Sequence, residues 1–323
     1  MVSLTEAMDR CSSLTNEEAT AGWEHADSQF PIRITRSWFN RIQSPEDPLG
    51  KQVFPQPTEM KVSNSIGDLG LMDPVGEQGK MPVPFVVQKH DNRLLLLVSR
   101  KCHLHCRYCF RRTLDDLVEP TPAELTHAID YVLQSGVEEV ILSGGDPLFL
   151  PDQKLGDIIE RLNAIPTLRI HTRAPITFPS RVRPSLMNAL KRHSNVWMIV
   201  HCNHKQELGS DVRRALQEIR QANIPLLNQS VLLKGINDDA HTLADLSKEL
   251  VRIGVFPYYL HHTDEVVGAE DFYVTMDEGD RIVRQLETLV SGVSLPKYVI
   301  DRPDGSGKIP VERLIHQQNR SRS

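Results

Sequence analysis

The sequence predicts an α/β fold whose core is an incomplete (β/α)6 barrel, open on one side. Six short apolar runs alternate with helix-like segments along most of the chain. This alternation indicates parallel strands joined by right-handed crossovers. Six units are too few to close an eight-stranded barrel. In such folds the chemistry lies at the C-terminal ends of the strands, so the segments that follow the runs are candidate site regions.

Three regions follow from this pattern. Residues 1–90 are rich in proline and irregular, with short helices expected near 15–25 and 37–42, and form an N-terminal extension packed on the barrel. Residues 91–295 form the barrel, and residues 296–323 form a short C-terminal segment. The strand-like runs cover residues 94–99, 138–142, 168–171, 196–201, 226–232 and 256–261.

Helix signals separate these runs. Thr121 and Glu124 form a capping box with proline at the first helical position, and Gly136 ends the helix after one apolar stripe. Residues 277–290 repeat the same pattern, with apolar residues on one face.

Composition limits the class of protein. The net charge is −5 with acids and bases interspersed, so no basic block indicates nucleic-acid binding. The apolar runs are strand length and too short to span a membrane. The first residues are polar and acidic, unlike a signal peptide. A cytoplasmic protein is therefore expected.

Five cysteines occur, and three of them fall within eight residues, at Cys102, Cys106 and Cys109. Clustered thiolates are typical of ligands for a soft metal in a reducing compartment. Three thiolates on one loop can bind three irons of a [4Fe–4S] cluster and leave the fourth iron open. The C-x3-C-x2-C spacing after the first barrel strand resembles the signature of the radical S-adenosylmethionine (SAM) superfamily. The alternative is a zinc site completed by a histidine of the loop, which the cramped spacing disfavours.

Two further segments carry candidate groups. A strand runs into a tight turn at Ser143, Gly144, Gly145 and Asp146, where glycines allow close approach to a ligand. A Gly/Ser-rich loop ends at Lys308, which by itself fits either a Schiff-base lysine or an exposed surface lysine. The histidines of the segment 201–204 are interpreted as structural, and Cys11 and Cys202 as unligated thiols.

The chain resembles the lysine 2,3-aminomutase family, whose members use SAM and pyridoxal phosphate (PLP). It looks closest to the short branch that makes β-lysine for the modification of elongation factor P. The similarity runs from about residue 47 to residue 308. It includes residues 93–98, 102–112, 142–148, 201–204, 227–233, 257–261 and 307–310.

This resemblance implies an isomerase that converts L-α-lysine to (R)-β-lysine through a 5′-deoxyadenosyl radical and a PLP external aldimine. Lys308 matches the catalytic PLP lysine, and Arg111 matches the arginine that holds the substrate carboxylate. Asp264 and Asp301 match two acids that hold the side-chain ammonium of lysine. The remaining matches are Cys102, Cys106 and Cys109 for the [4Fe–4S] cluster, Ser143, Gly144, Gly145 and Asp146 for SAM, and Arg93, Asn228 and Gln229 for the PLP region.

The expected partners are L-lysine, an external electron donor of the flavodoxin or ferredoxin type, and a functional link to elongation factor P and its lysyl ligase. His90 departs from the tyrosine of longer aminomutases, and the chain ends before their zinc-binding segment. Alternatives stay open: another amino acid such as glutamate, lysine already attached to elongation factor P, or a non-catalytic iron–sulfur protein. The acid pair argues against glutamate, which it would repel.

Overall fold

A computed structural model describes residues 1–11, 17–60, 71–113, 118–302, 304 and 307–322 of the chain. Its centre is a nine-stranded sheet in which every strand pairs with its neighbours in chain order. The strands are β1 (Val86–His90), β2 (Arg93–Ser99), β3 (Glu139–Gly144), β4 (Thr167–Thr172), β5 (Val196–His201), β6 (Leu226–Val231), β7 (Phe256–His261), β8 (Lys297–Asp301) and β9 (Lys308–Pro310).

The six predicted strands are confirmed as β2 to β7, and all of them are parallel. The structure extends this set by β8, which pairs with β7 in the parallel sense. Antiparallel β1 and β9 border the sheet at its two ends. The sheet therefore reaches beyond residues 91–295 on both sides.

The helices pack around this sheet. In the N-terminal extension they are α1 (Leu4–Arg10), α2 (Glu17–Gln29), α3 (Arg36–Phe39) and α4 (Pro48–Lys51). Along the barrel and after it they are α5 (Pro122–Gln134), α6 (Asp152–Arg161), α7 (Ala174–Thr177), α8 (Pro184–Leu190), α9 (Ser210–Gln221), α10 (Ala240–Arg252), α11 (Met276–Leu289) and α12 (Val311–Arg322). Short 3-10 turns connect several of them.

Local signals position these helices as expected. The capping box at the start of α5 is present, because Thr121 accepts from the N–H of Glu124 and the Glu124 carboxylate accepts from the N–H of Thr121. The predicted helix at 277–290 is α11, which begins after the N-cap Thr275. Since each helix returns the chain to the next parallel strand, the strand C-termini meet at one edge.

The N-terminal extension shares one hydrophobic core with the barrel. Trp23, Ile34 and Trp38 of the extension are almost fully buried and belong to the same apolar cluster as Leu142 of β3 and Ile170 of β4. Burial of this kind is the main favourable term in folding. Among the described residues, no helix has the length and apolar character needed to cross a membrane.

Candidate active site

The three cysteines of the motif lie on the loop that follows β2. Cys102, Cys106 and Cys109 are free thiols, and each is half-buried. Within the described ranges, no three His, Cys, Asp or Glu side chains are grouped as ligands of a single metal ion. A [4Fe–4S] cluster binds each thiolate at a different iron, so its ligands need not meet at one point. Three thiols on one loop match the donor set of such a cluster.

The N-terminal extension holds the cysteine loop. Arg107 of the loop has a fully buried side chain, and its guanidinium forms a 2.6 Å salt bridge with Glu59 of the extension. The backbone N–H of Arg107 donates to the carbonyl of Gln52 at 2.9 Å, and the N–H of His105 donates to the carbonyl of Arg33 at 2.9 Å. Because an unpaired buried charge is costly, Glu59 fixes Arg107 and the loop around it.

The glycine turn after β3 packs against the chain that enters the cysteine loop. Gly144 has a φ of +119°, and a Cβ at this position would overlap the carbonyl oxygen of Ser99. A Cβ on Gly145 would lie 2.5 Å from the carbonyl oxygen of Lys101. Both positions therefore require glycine. Ser143, the residue before them, is buried at the end of β3.

Asp146 connects this turn to the end of β4. Its Oδ1 accepts from the backbone N–H of Leu148 at 2.9 Å and from the hydroxyl of Thr172 at 2.6 Å. Its Oδ2 accepts from the backbone N–H of Arg173 at 2.9 Å. The carboxylate thus fixes two strand ends relative to each other, and its role toward the ammonium of SAM stays a prediction.

Arg111 forms a forked salt bridge two residues after the last cysteine of the motif. Its Nε donates to Oε2 of Glu77 at 2.9 Å, and its Nη2 donates to Oε1 of the same carboxylate. Its Nη1 donates to the carbonyl of Gly144 at 3.0 Å. Two parallel N–H···O bonds are the arrangement by which a guanidinium recognises a carboxylate. A substrate carboxylate would have to compete with Glu77 for these donors.

The two predicted acids differ in protonation. Asp301, at the end of β8, lies 3.1 Å from Nζ of Lys89 and 3.2 Å from Nζ of Lys308. Burial acts to raise the pKa of Asp301, but the charges of the two lysines outweigh it and lower the pKa. Burial first, and then the negative charge of Asp301, raise the pKa of Asp264 to about 7. Near neutral pH, Asp301 is ionised and Asp264 is divided between its two forms.

Lys308 begins β9 and is the register partner of Asp301 across the β8–β9 hairpin. Its side chain is 34% exposed, so its amine is accessible. The preceding Gly307 has a φ of +75°, and a Cβ there would lie 2.6 Å from Nε2 of His90. His90 therefore lies beside the lysine. Residues 303, 305 and 306 of the predicted loop are outside the described residues.

The three residues predicted for the PLP region have different surroundings. Arg93 is half-buried at the start of β2 and donates to Oδ1 of Asn92 at 3.1 Å. Asn228 is almost fully buried, accepts from the N–H of Cys202 at 2.9 Å and donates to the carbonyl of Cys202 at 3.0 Å. These bonds join β6 to the residue that follows β5 and are typical of a structural amide. Gln229 follows on the other face of the strand and is half-buried.

The segment after β5 hydrogen-bonds to the cysteine loop. Nε2 of His201 pairs with the hydroxyl of Tyr108 at 3.0 Å, and Nδ2 of Asn203 donates to the same hydroxyl at 2.7 Å. Nδ1 of His204 accepts from the backbone N–H of Gln206 at 3.2 Å. These contacts give His201 and His204 structural partners.

Sequence reasoning missed three residues that contact the predicted site. Glu77 pairs with Arg111, and Lys89 pairs with Asp301. Arg173 donates to the sulfur of Cys106. Each is 34 or more positions away from its partner along the chain, so no local spacing indicates the pair. Only Arg173 had a usable signal, because it is a charged residue two positions after the strand-like run 168–171.

Comparison with known proteins shows the family of this chain. A family model described as the radical SAM superfamily matches residues 96–246, which include the cysteine loop and the glycine turn. An L-lysine 2,3-aminomutase of Escherichia coli (strain K12) is 37% identical over 317 residues, covering 96% of this chain and 91% of that protein. That of Clostridium subterminale is 36% identical over 318 residues, covering 96% of this chain and 75% of that protein.

A third relative, the L-lysine 2,3-aminomutase of Acetoanaerobium sticklandii, is 38% identical over 320 residues, covering 96% of this chain and 76% of that protein. The likeness to all three relatives thus spans nearly the whole chain, including the extension and the C-terminal lysine hairpin as well as the barrel. The chain therefore belongs to the lysine 2,3-aminomutase family of the radical SAM superfamily.

Proposed function

We propose that this chain is an isomerase that converts L-α-lysine to (R)-β-lysine. The superfamily implies a [4Fe–4S] cluster and SAM, and the names of the relatives support lysine as the substrate. One observation carries the proposal: Asp301 holds the ammonium groups of two lysine side chains, Lys89 and Lys308. A carboxylate arranged to bind alkylammonium groups is what recognition of the lysine side chain requires.

The substrate would be held at both ends. Asp264 and Asp301 bind its ε-ammonium, and Arg111 binds its carboxylate in exchange for Glu77. The two ends of the proposed site interact electrostatically, because the negative charge of Glu77 contributes to the raised pKa of Asp264. Fixing both ends aims carbon 3 at the attacking radical, and such orientation is a large part of the catalytic effect.

The surroundings of Lys308 fit PLP. The guanidinium of Arg169 has a buried Nε without a hydrogen-bond partner in the described structure. Nη2 of Arg169 pairs with Nε2 of His171 at 3.0 Å, and burial, followed by the positive charges of Arg169 and Lys308, lowers the pKa of His171. We assign the free donor of Arg169 to the phosphate of PLP, together with Arg93 and Gln229. PLP, when bound, supplies an imine π bond through which nitrogen moves from carbon 2 to carbon 3.

The cysteine loop and the glycine turn would hold the other two cofactors. The cluster and SAM supply the radical that removes hydrogen from the substrate. On the protein side, the loop is immobilised by the extension and the turn packs on its base, so the two binding segments keep a fixed separation. The residues proposed for these roles are Cys102, Cys106 and Cys109 for the cluster and Ser143, Gly144, Gly145 and Asp146 for SAM.

The partners follow from this chemistry. Generating the radical takes one electron, which we assign to an external donor of the flavodoxin or ferredoxin type. We further propose that the product serves the modification of elongation factor P through its lysyl ligase. Support for this link is the resemblance of residues 47–308 to the short aminomutase branch.

Anaerobic turnover of free L-lysine tests the proposal. Reconstituted, reduced protein with SAM and PLP should produce β-lysine, detected by mass spectrometry after chromatography, and omission of either cofactor should abolish it. L-glutamate should give no β-product, because two carboxylates repel its side chain. If cluster and PLP are bound but free lysine is not converted, the substrate assignment is wrong, and lysyl-elongation factor P is tested next.

Two variants assign the cofactor residues. Cys106→Ala should lose iron and activity, whereas the matched control Cys202→Ala, which changes a cysteine outside the motif, should keep the iron. Lys308→Ala should keep the iron and lose the visible absorbance of protein-bound PLP. Unchanged iron content in Cys106→Ala would contradict the ligand assignment.

A further inference from the structure

We propose that Arg173 is a positioning residue for the cluster: it holds the Cys106 sulfur and raises the reduction potential of the cluster bound there. The inference rests on the proposed cluster site and adds to it a residue that the cysteine motif does not contain. Arg173 lies directly after β4, and its Nη1 donates to Sγ of Cys106 at 2.7 Å. The two residues are 67 positions apart in the chain.

The guanidinium is held in this orientation from several sides. Its Nη2 donates to Oε1 of Gln52 at 2.5 Å and to Oε2 of Glu207 at 3.1 Å. Its Cζ lies over the rings of Trp38 and Tyr108, 4.8 Å and 5.6 Å from the two centroids. An arginine fixed by two acceptors and two aromatic faces has little freedom to leave the sulfur.

The position is also shielded from solvent. The Arg173 side chain is 10% exposed, and its partner Glu207 is 0% exposed. An arginine keeps its positive charge even when buried, and charges interact more strongly where water is excluded. Trp38 and Gln52 belong to the N-terminal extension, so the extension completes the environment of this charge.

The hydrogen bond from Arg173 to the Cys106 sulfur and the positive charge of Arg173 should both raise the reduction potential of the cluster. Reduction adds one electron from the external donor to the cluster, with no bond made or broken, and so makes its net charge more negative. Hydrogen bonds to cluster sulfurs and nearby positive charge favour that reduced form. The Arg173 guanidinium supplies both, whereas the carboxylate of Glu207 partly offsets its charge.

Redox titration of the reconstituted cluster without SAM, followed by electron paramagnetic resonance, tests this inference. Arg173→Gln should lower the equilibrium constant for one-electron reduction about tenfold, which is a shift of about 59 mV to more negative potential. Arg173→Lys, which retains the charge, should fall between Arg173→Gln and the wild type. Glu207→Gln should shift the potential in the opposite direction, to less negative values.

Arg161→Gln is the matched control, because it makes the same charge change at an exposed arginine of α6 that pairs with Asp130, and it should leave the potential unchanged. An Arg173→Gln potential equal to the wild-type value, at full iron content, overturns the inference. If Arg173→Gln does not retain iron, unchanged potentials in Arg173→Lys and Glu207→Gln overturn it. Absence of a cluster in the wild type would instead overturn the proposed function, so the two failures are distinguishable.

Discussion

Lowering the pH from 8 to 6 should weaken the binding of L-lysine through one carboxyl group, that of Asp264. Burial and the charge of Asp301 raise its pKa to about 7. Only the ionised form attracts the ε-ammonium, so the apparent Kd scales with the inverse of the ionised fraction. That fraction falls from about 90% at pH 8 to about 9% at pH 6, a roughly tenfold loss of affinity.

The charge on Lys308 affects the pKa of Asp264 and therefore the size of this pH effect. The positive charge of Lys308 lowers the pKa of Asp264. A deprotonated imine between Lys308 and PLP would lack this charge, and the pKa of Asp264 would then be higher. The loss of affinity between pH 8 and pH 6 would in that case exceed tenfold.

Calorimetric titration of L-lysine into PLP-loaded protein without SAM, at pH 6, 7 and 8, measures this effect. Norleucine has the same α-amino and carboxylate groups but no ε-amine, so it controls for every other group that titrates. The ratio of lysine affinity to norleucine affinity should fall about tenfold or more from pH 8 to pH 6 in the wild type. It should stay constant in Asp264→Asn. A constant ratio in the wild type would refute the assignment of Asp264.

Three further substitutions test the framework of the site through the free energy of unfolding of the cluster-free protein. Gly144→Ala should lower the free energy of unfolding by about 2 kcal/mol or more, because the new Cβ would overlap the carbonyl oxygen of Ser99. The control Gly292→Ala, where nothing lies within 4 Å of the new Cβ, should change stability little. Equal effects of the two substitutions would contradict the predicted overlap. Thr121→Ala should cost about 1 kcal/mol through loss of the α5 capping box, and a cost near zero would show that the cap is dispensable. Glu59→Gln should lower the free energy of unfolding by about 3 kcal/mol, because it leaves the buried guanidinium of Arg107 without its counter-charge. Full stability of this variant would show that other acceptors compensate for the lost carboxylate.

The fold was predictable where packing leaves a regular pattern. Strands β2, β3 and β5 carry runs of adjacent buried residues, β4 and β6 alternate in burial, and β7 is a short run of aromatic and apolar residues in which Leu260 is buried. Helix α5 carries its own capping signal. Strand β8 was not predicted, because its apolar run, from Tyr298 to Ile300, is only three residues long. Strands β1 and β9 are recognisable only from their antiparallel pairing with neighbours. Such short elements exist because of tertiary contacts and not because of local pattern.

The site was predictable as a set of residue types but not as a set of contacts. The cysteine spacing and the resemblance selected the residues proposed for the cluster loop, the PLP lysine and the acids. The pairing of Arg111 with Glu77, and of Asp301 with Lys89, joins segments that are distant in sequence and that meet only after folding. These pairs set charge and protonation at the site, so the pKa of Asp264 could not be inferred from its neighbours in the sequence.

The contacts between the N-terminal extension and the cysteine loop have a consequence for synthesis on the ribosome. The extension emerges first, with Trp23 and Trp38 exposed, and their buried positions exist only once the barrel strands have followed. Glu59 likewise leaves the ribosome before Arg107, the residue it neutralises. The chain therefore cannot close its cysteine loop progressively from the N-terminus. A nascent or truncated chain therefore exposes apolar surface together with the free thiols of the cysteine loop, and exposed apolar surface of this kind promotes aggregation.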